Sequence, residues 1–298
     1  MMGEHYPRIR IQMGVDGVRS LYIRESVSIT FYMRSSHREL VKPVLRALDV
    51  YRNTVGLQRL GWYINPYNED WDELDDKGWA YVRSEMHERP ATSMWLRELP
   101  SDTTGYEFNY QGRPLEAYNA EATSAVAFHL PTEYMEEHGP GHVQELALKL
   151  AAELPFNSGH AGLAFDFPEG LLVATRAVEA RCSRYPGMDV PGLHFTSLFI
   201  GTKVDGVHWL NFLGPPVLGG LGGAAGLRAQ LHSPGMTVRE LDGERAVVML
   251  GEWPEAGDTE QGHTLPAYRE LARVLEPWLH LSRTSDENMR RWERRFLD

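Results

Sequence analysis

The sequence SITFYMR at residues 28–34 sets the pattern from which the fold can be predicted. β-Branched and aromatic residues alternate in it with small polar residues, which is the period-two pattern of a strand. A helix is predicted to follow, with Ser36 and Glu39 as its capping box and Gly56 as its stop. Its apolar face recurs with the helical period at Leu40, Val44, Leu45, Leu48, Tyr51 and Val55. Residues 60–65 (LGWYIN) are predicted to form the next strand.

The order of strand, helix and strand occurs again further along the chain. Residues 124–130 (SAVAFHL) and 160–167 (HAGLAFDF) are strand-like, and 143–154 (VQELALKLAAEL) between them has the pattern of a helix. A partial third copy consists of a strand at 245–250 (RAVVML) and a helix that opens with Pro266.

Turn-rich connections, rather than a regular alternation of strands and helices, separate these units. This favours an α+β fold, in which two β-α-β-like halves pack together around a mixed, mainly antiparallel sheet. We predict one domain, residues 1–298, with two pseudo-repeated halves at 1–118 and 119–298. The polar stretch at 112–122 marks their boundary.

Composition limits the function. The 298 residues include 30 Lys and Arg against 41 Asp and Glu, and the formal net charge is −11. With 42% hydrophobic residues the chain can build a large core, which excludes intrinsic disorder. Direct binding of nucleic acid is not expected, because phosphate recognition depends on clustered positive charge. A basic protein partner suits the charge better.

The compartment can also be predicted. Cys182 is the single cysteine, so no internal disulfide can form. Residues 1–20 have no apolar core of the kind found in signal peptides, and the weakly charged stretch 207–227 is interrupted by prolines and glycines. We therefore expect a cytoplasmic protein that does not enter a membrane.

A glycine-rich loop from Gly219 to Gly226 is the strongest candidate for a cofactor site. Gly220, Gly222 and Ala225 have a G-x-G-x-x-A arrangement. The dinucleotide fingerprint needs a buried strand immediately before the glycines, whereas Pro215 and Pro216 precede them here. A glycine-rich turn or close helix packing is favoured, and no cofactor is predicted; a nucleotide-binding protein or enzyme that uses this loop is the alternative.

Histidine and cysteine patterns predict neither a metal nor a catalytic residue. His138 and His142 are four residues apart, but the intervening GPG predicts a turn between two helices rather than a zinc-binding helix face. The scattered histidines His160, His194, His208 and His263 have the pattern of ordinary hydrogen-bonded residues. No nucleophile elbow is present, and Cys182 is predicted to be a partly buried thiol.

The segment 65–76 (NPYNEDWDELDD) has the most unusual charge in the chain. Two aromatic residues, Tyr67 and Trp71, are embedded among six carboxylates, at Glu69, Asp70, Asp72, Glu73, Asp75 and Asp76. So many like charges resist burial. The segment is either a solvated helix start or a docking surface on which aromatic residues anchor a basic partner and carboxylates steer it.

Several motifs occur together in a fixed order: LGWYIN at 60–65, the long run 130–165, RYPGMDV at 184–190, WLNFLGPPVLGGLGG at 209–223, EWPEAGD at 252–258 and LPAYRELARVLEP at 265–277. In these motifs the chain resembles the type VI immunity family, bacterial proteins first catalogued as a domain of unknown function. The resemblance covers most of the chain, from Ser28 to Phe296. It implies protection of a cell from a toxic effector, and at least one member is similar in context to a neutraliser of a nuclease.

The resemblance implies no particular binding residues, so the surface is predicted from composition. We expect tight one-to-one binding of a cognate toxic effector that is basic and encoded nearby, with Trp71 as an anchor beside Asp70, Asp72 and Glu73. Other tryptophans stay open as anchors, namely Trp62, Trp79, Trp95 and Trp253. A structural subunit of a larger complex is a third interpretation.

Overall fold

The computed structural model of the chain describes residues 5–15, 18–68, 70–100, 103, 105–115, 119–168, 170–282 and 287–298. The strands are β1 Arg10–Val15, β2 Val18–Met33, β3 Trp62–Asn65, β4 Asp70–Glu73, β5 Thr92–Arg97, β6 Glu107–Gly112, β7 Ser124–Pro131, β8 Ser158–Asp166, β9 Leu210–Leu213, β10 Thr237–Glu240 and β11 Ala246–Met249. The α-helices are α1 His37–Val55, α2 Asp76–Glu88, α3 Thr132–His138, α4 Pro140–Glu153, α5 Leu172–Cys182, α6 Leu193–Phe199, α7 Val217–Gly220, α8 Gly223–Arg228, α9 Pro266–Leu275 and α10 Glu287–Glu293. Short 3-10 helices lie at Thr259–Gln261 and Glu276–Trp278.

The strands of the described residues join in one sheet. Their order is β10-β11-β9-β8-β2-β7-β6-β5-β3-β4, and β1 forms a hairpin with β2. All of these strand pairs are antiparallel, and isolated parallel bridges join Ala164 to Asp189 and Val204 to Leu279. The α+β class and the mainly antiparallel sheet are therefore confirmed.

The long strand β2 lies between β7 and β8, so both predicted halves contribute to the centre of the sheet. The two strands of each β-α-β unit do not pair with each other. β2 is separated from β3 by β7, β6 and β5, and β7 is separated from β8 by β2. The long-range pairing of β2 thus joins residues 1–118 to residues 119–298 within one sheet.

One face of the sheet is apolar and is covered by α1 and α4. Ile29 and Phe31 of β2 belong to the same core cluster as Leu48 of α1 and Leu146 of α4. The capping box of α1 is present, since the Ser36 backbone N–H donates to Glu39 Oε2 at 2.8 Å. The helix begins at His37, so Pro43 lies inside it rather than in its first turn, and it ends before Gly56, as predicted.

The opposite face of the sheet is mostly polar and only partly covered. Tyr32, Ala125 and Ala127 pack there in a small cluster with Leu193 of α6 and Ile200. Polar side chains occupy the adjoining part of this face, and they form the site described below.

The glycine-rich segment folds as the short helices α7 and α8, next to α9. Gly220 has no room for a Cβ atom, which would collide with the indole ring of Trp278. Close packing therefore explains why residue 220 is a glycine, which is the interpretation that the sequence favoured. The nucleotide-binding alternative is not favoured. None of the described helices has the length and apolar character needed to cross a membrane.

Candidate functional site

The pairing register places a row of polar side chains across the open face of the sheet. Arg97 of β5 pairs with Glu107 of β6, Glu107 with His129 of β7, and His129 with Ser28 of β2. Directly paired residues share a face of the sheet, so these side chains are neighbours. The next row on the same face consists of Trp95, Asn109, Ala127, Thr30 and His160.

These rows form the floor of a cleft, to which Asp166, Asp189 and Asp205 also contribute. Asp189 is held at its wall by backbone hydrogen bonds to β8. Its N–H donates to the Leu163 carbonyl at 2.8 Å, and its own carbonyl accepts from the Phe165 N–H at 2.9 Å. The free space is about 20 Å³, which is room for one water-sized group. A nucleotide does not fit.

At one end of the cleft Arg97 and Glu107 form a buried ion pair. Arg97 Nε donates to Glu107 Oε2 at 2.7 Å. Burial works against ionisation of Glu107, but Arg97 and His129 outweigh it and hold the pKa of this carboxyl below its usual range. The guanidinium also lies 4.8 Å from the ring centroid of Trp95, within cation–π range.

At the other end two histidines stack. The ring centroids of His160 and His208 are 3.9 Å apart, and His160 Nε2 lies 3.4 Å from Asp189 Oδ2. Burial, together with His160, lowers the pKa of His208 to about 3, so its ring is neutral at pH 7. Its Nε2–H donates to the Asp205 carbonyl oxygen at 2.7 Å. The Tyr32 hydroxyl donates to Asp205 Oδ2 at 2.6 Å.

Three side chains at this end of the cleft have atoms that can bind metals, those of His160, Asp189 and His208. One such atom from each residue lies within 4.8 Å of the other two. A bound ion must lie in the plane of each imidazole that ligates it. The two rings are stacked at 15°, so in this arrangement their planes do not converge on a common ion. The arrangement fits a cluster of neighbouring charged and polar groups better than a metal centre.

The acidic segment lies at the end of the sheet. Asp70, Trp71, Asp72 and Glu73 form β4, which among the described residues pairs only with β3, so β4 is an edge strand. Tyr67 occupies the turn before it and is 71% exposed. Glu69 lies outside the described residues.

Some carboxylates of this segment are used within the fold. Asp75 caps α2 by accepting from the backbone amides of Lys77 and Gly78, both at 2.9 Å. Asp72 Oδ2 accepts from the side-chain amide of Asn65 at 2.7 Å. Asp75 is nevertheless exposed, as are Asp70, Glu73 and Asp76, and Asp72 is half-buried.

Trp71 connects the acidic strand to the cleft. It is half-buried, its ring meets Trp95 edge-on at a centroid distance of 5.8 Å, and the Arg97 guanidinium lies 5.5 Å from its centroid. Side chains alternate between the two faces along a strand, so Trp71 and Glu73 lie on the face that carries the polar rows, whereas Asp70 and Asp72 lie on the opposite face. The predicted binding segment lies beside the cleft, whereas the cleft residues were not among the predicted binding residues: Arg97, Glu107, His129, His160, Asp189 and His208.

The other sequence candidates lie away from this cleft. His138 ends α3 and His142 lies in the first turn of α4, so GPG is the predicted turn between two helices. Cys182 is buried, as expected of a structural thiol, and burial raises the pKa of its Sγ.

Comparison with known proteins agrees with this fold. Residues 43–298 match the family model TsiV, described as type VI immunity for VRR-NUC. The structure is similar to the Pseudomonas aeruginosa T6SS protein PA0821, with a TM-score of 0.80 and 21% sequence identity over 96% of this chain and 87% of that one. No curated protein gave a significant match.

Proposed function

Because the chain belongs to the TsiV family of type VI immunity proteins for VRR-NUC, we propose that it neutralises a VRR-NUC nuclease effector by stoichiometric binding, without catalysis of its own. Under this proposal it acts in the cytoplasm on a basic effector encoded nearby, and it binds neither nucleic acid nor a membrane directly. The cleft supports a non-catalytic role, since its free space of about 20 Å³ is far below that of a substrate pocket.

The observation that carries the proposal is the acidic edge of the sheet. We propose that the effector binds at this edge. Asp70 and Glu73 on β4 and Asp76 at the start of α2 expose carboxylates beside the exposed ring of Tyr67. A nuclease binds a polyanion and therefore needs a positive surface. Carboxylates on the immunity protein attract that surface and speed the encounter.

Trp71 supplies the apolar contact in the proposed interface. Aromatic side chains at the centre of an interface account for much of the binding energy, while rim charges mainly set the association rate. The remaining acidic positions of the segment, Glu69, Asp72 and Asp75, belong to the proposed surface through their charge.

The test is titration of the chain with a catalytically inactive VRR-NUC effector, followed by calorimetry and by mass determination of the complex. We expect a one-to-one complex, and an affinity that falls at least about tenfold in Asp70→Lys/Glu73→Lys. The matched control is Glu240→Lys/Glu244→Lys, which reverses two exposed carboxylates on and beside β10 at the opposite edge of the sheet. Absence of any complex would contradict the proposal. Equal losses of affinity in both variants would show that β4 is not part of the binding surface.

A further inference from the structure

The cleft holds more acidic groups than basic ones. Its lining includes one guanidinium, that of Arg97, and four carboxyl groups, at Glu107, Asp166, Asp189 and Asp205. Three of the four have a polar partner within the fold, because Glu107 is paired with Arg97, Asp189 lies beside His160, and Asp205 accepts from Tyr32.

Asp166 is the exception. It is 7% exposed, and no hydrogen bond to its carboxylate is formed by the described residues. Burial raises the pKa of this carboxyl, and the negative charge of Glu107 adds to that effect, against the opposing influences of Arg97, His129 and Arg24. An unpaired buried carboxylate is costly, so the site favours a positively charged group.

Three buried polar atoms of the cleft lining also lack a hydrogen bond among the described residues, namely His129 Nδ1, His160 Nε2 and Trp95 Nε1. His129 is 7% exposed, and its Nδ1 is buried without a hydrogen bond among the described residues. Buried polar atoms are nearly always hydrogen-bonded, so an atom without a partner indicates a position for a ligand atom.

We infer that the cleft binds the ammonium group of a lysine side chain of the VRR-NUC effector, with the Asp166 carboxylate as its partner. The free space of about 20 Å³ matches an ammonium group, which is the size of a water molecule, and is too small for the planar guanidinium of arginine. Trp95, Phe167 and Leu193 line the cleft and can pack along the aliphatic stem of the lysine.

This inference rests on the proposed function and specifies where part of the binding energy arises. Exposed rim carboxylates steer the effector, whereas a desolvated ammonium–carboxylate pair slows dissociation. Asp166 makes this contact on the same open face as Trp71, so one docked effector can contact both.

The test is the substitution Asp166→Asn in the full chain, which keeps the shape of the side chain and removes its charge. We expect affinity for the catalytically inactive effector to fall about 30-fold or more, mainly through faster dissociation. The melting temperature of the free variant should be no lower than that of the wild type, because an unpaired buried charge is removed. The control Asp49→Asn removes the same charge from the exposed surface of α1, on the other side of the sheet, and should leave affinity unchanged.

Lysine acylation of the complex, read by mass spectrometry, gives an independent measurement. One effector lysine should be protected by the wild-type chain and reactive in the presence of Asp166→Asn. An unchanged affinity in Asp166→Asn, a melting temperature that falls together with affinity, or the absence of any protected lysine would each overturn the inference. If the wild-type chain forms no complex, it is the proposed function that fails.

Discussion

His208 shows how burial fixes the protonation state of a single residue. Burial and the stacked His160 lower its pKa to about 3 in the folded chain, whereas a histidine of an unfolded chain titrates near 6.5. Between these values the unfolded state binds more protons, so the free energy of unfolding must decrease as the pH falls. Asp189, Asp205 and Arg295 also act on this ring, and burial lowers the pKa of Arg295 to about 10.

We predict that His208→Gln flattens this pH dependence. The Gln amide can still donate to the Asp205 carbonyl oxygen but takes up no proton. Urea denaturation between pH 7 and pH 4 should show a slope smaller than that of the wild type by up to about 1.4 kcal/mol per pH unit. Identical slopes in the two proteins would contradict the assignment of this stability to His208.

Two adjacent glycines allow a matched test of packing. A Cβ atom at Gly220 would collide with Trp278, whereas a Cβ atom at Gly219 meets open space. Gly220→Ala should therefore lower the free energy of unfolding by about 1–3 kcal/mol, the cost of overpacking. Gly219→Ala should be neutral or stabilising by up to about 1 kcal/mol, because alanine favours the helix. Equal effects of the two substitutions on the free energy of unfolding would show that Gly220 is not required for packing against Trp278.

At the scale of elements, the acidic segment has two separable roles. Asp75 caps α2, while Asp70 and Glu73 are exposed on β4. Asp75→Ala should lower the free energy of unfolding by about 1 kcal/mol, the usual cost of losing an N-cap, and should lower effector affinity less than Asp70→Lys/Glu73→Lys does, because it removes one charge and reverses none. Asp70→Lys/Glu73→Lys should lower effector affinity more and should change the free energy of unfolding little. Chemical denaturation and calorimetry on the same preparations separate the two effects.

Local patterns predict elements well where propensity and burial agree. The period of α1, its capping box and its stop at Gly56 are all local, and the structure has each of them. The strand at Asp70–Glu73 was not predicted, because three of its four residues are acidic and therefore poor strand formers, and pairing with β3 overrides that preference.

The order of the strands depends on contacts between distant parts of the chain, which periodicity does not encode. The insertion of β2 between β7 and β8 is such a contact, and it creates the cleft. His160 and His208 are single histidines in the sequence and become a stacked pair only when the loop before β9 folds against β8. In β2 the alternation predicts a polar face at Ser28 and Thr30, but it does not indicate that these two residues are buried.

At the scale of the whole molecule, the net charge of −11 must affect the rate at which a basic effector is met. Mobile ions screen charges beyond about 10 Å at 0.1 M salt, so the long-range part of the attraction weakens as salt is added. Contacts that exclude water are screened much less. Added salt should therefore lower the association rate constant and leave the dissociation rate constant nearly unchanged.

Rate constants measured between 50 mM and 500 mM salt test this division. Association of the wild-type chain with an inactive effector should slow by about tenfold or more over that range. Asp70→Lys/Glu73→Lys and Glu240→Lys/Glu244→Lys change the net charge equally, but the first alters the proposed interface and the second the far edge of the sheet. The association rate constant should lose most of its salt dependence in the β4 variant and little of it in the β10 variant. Equal losses would show that the effector responds to total charge rather than to the charge of β4.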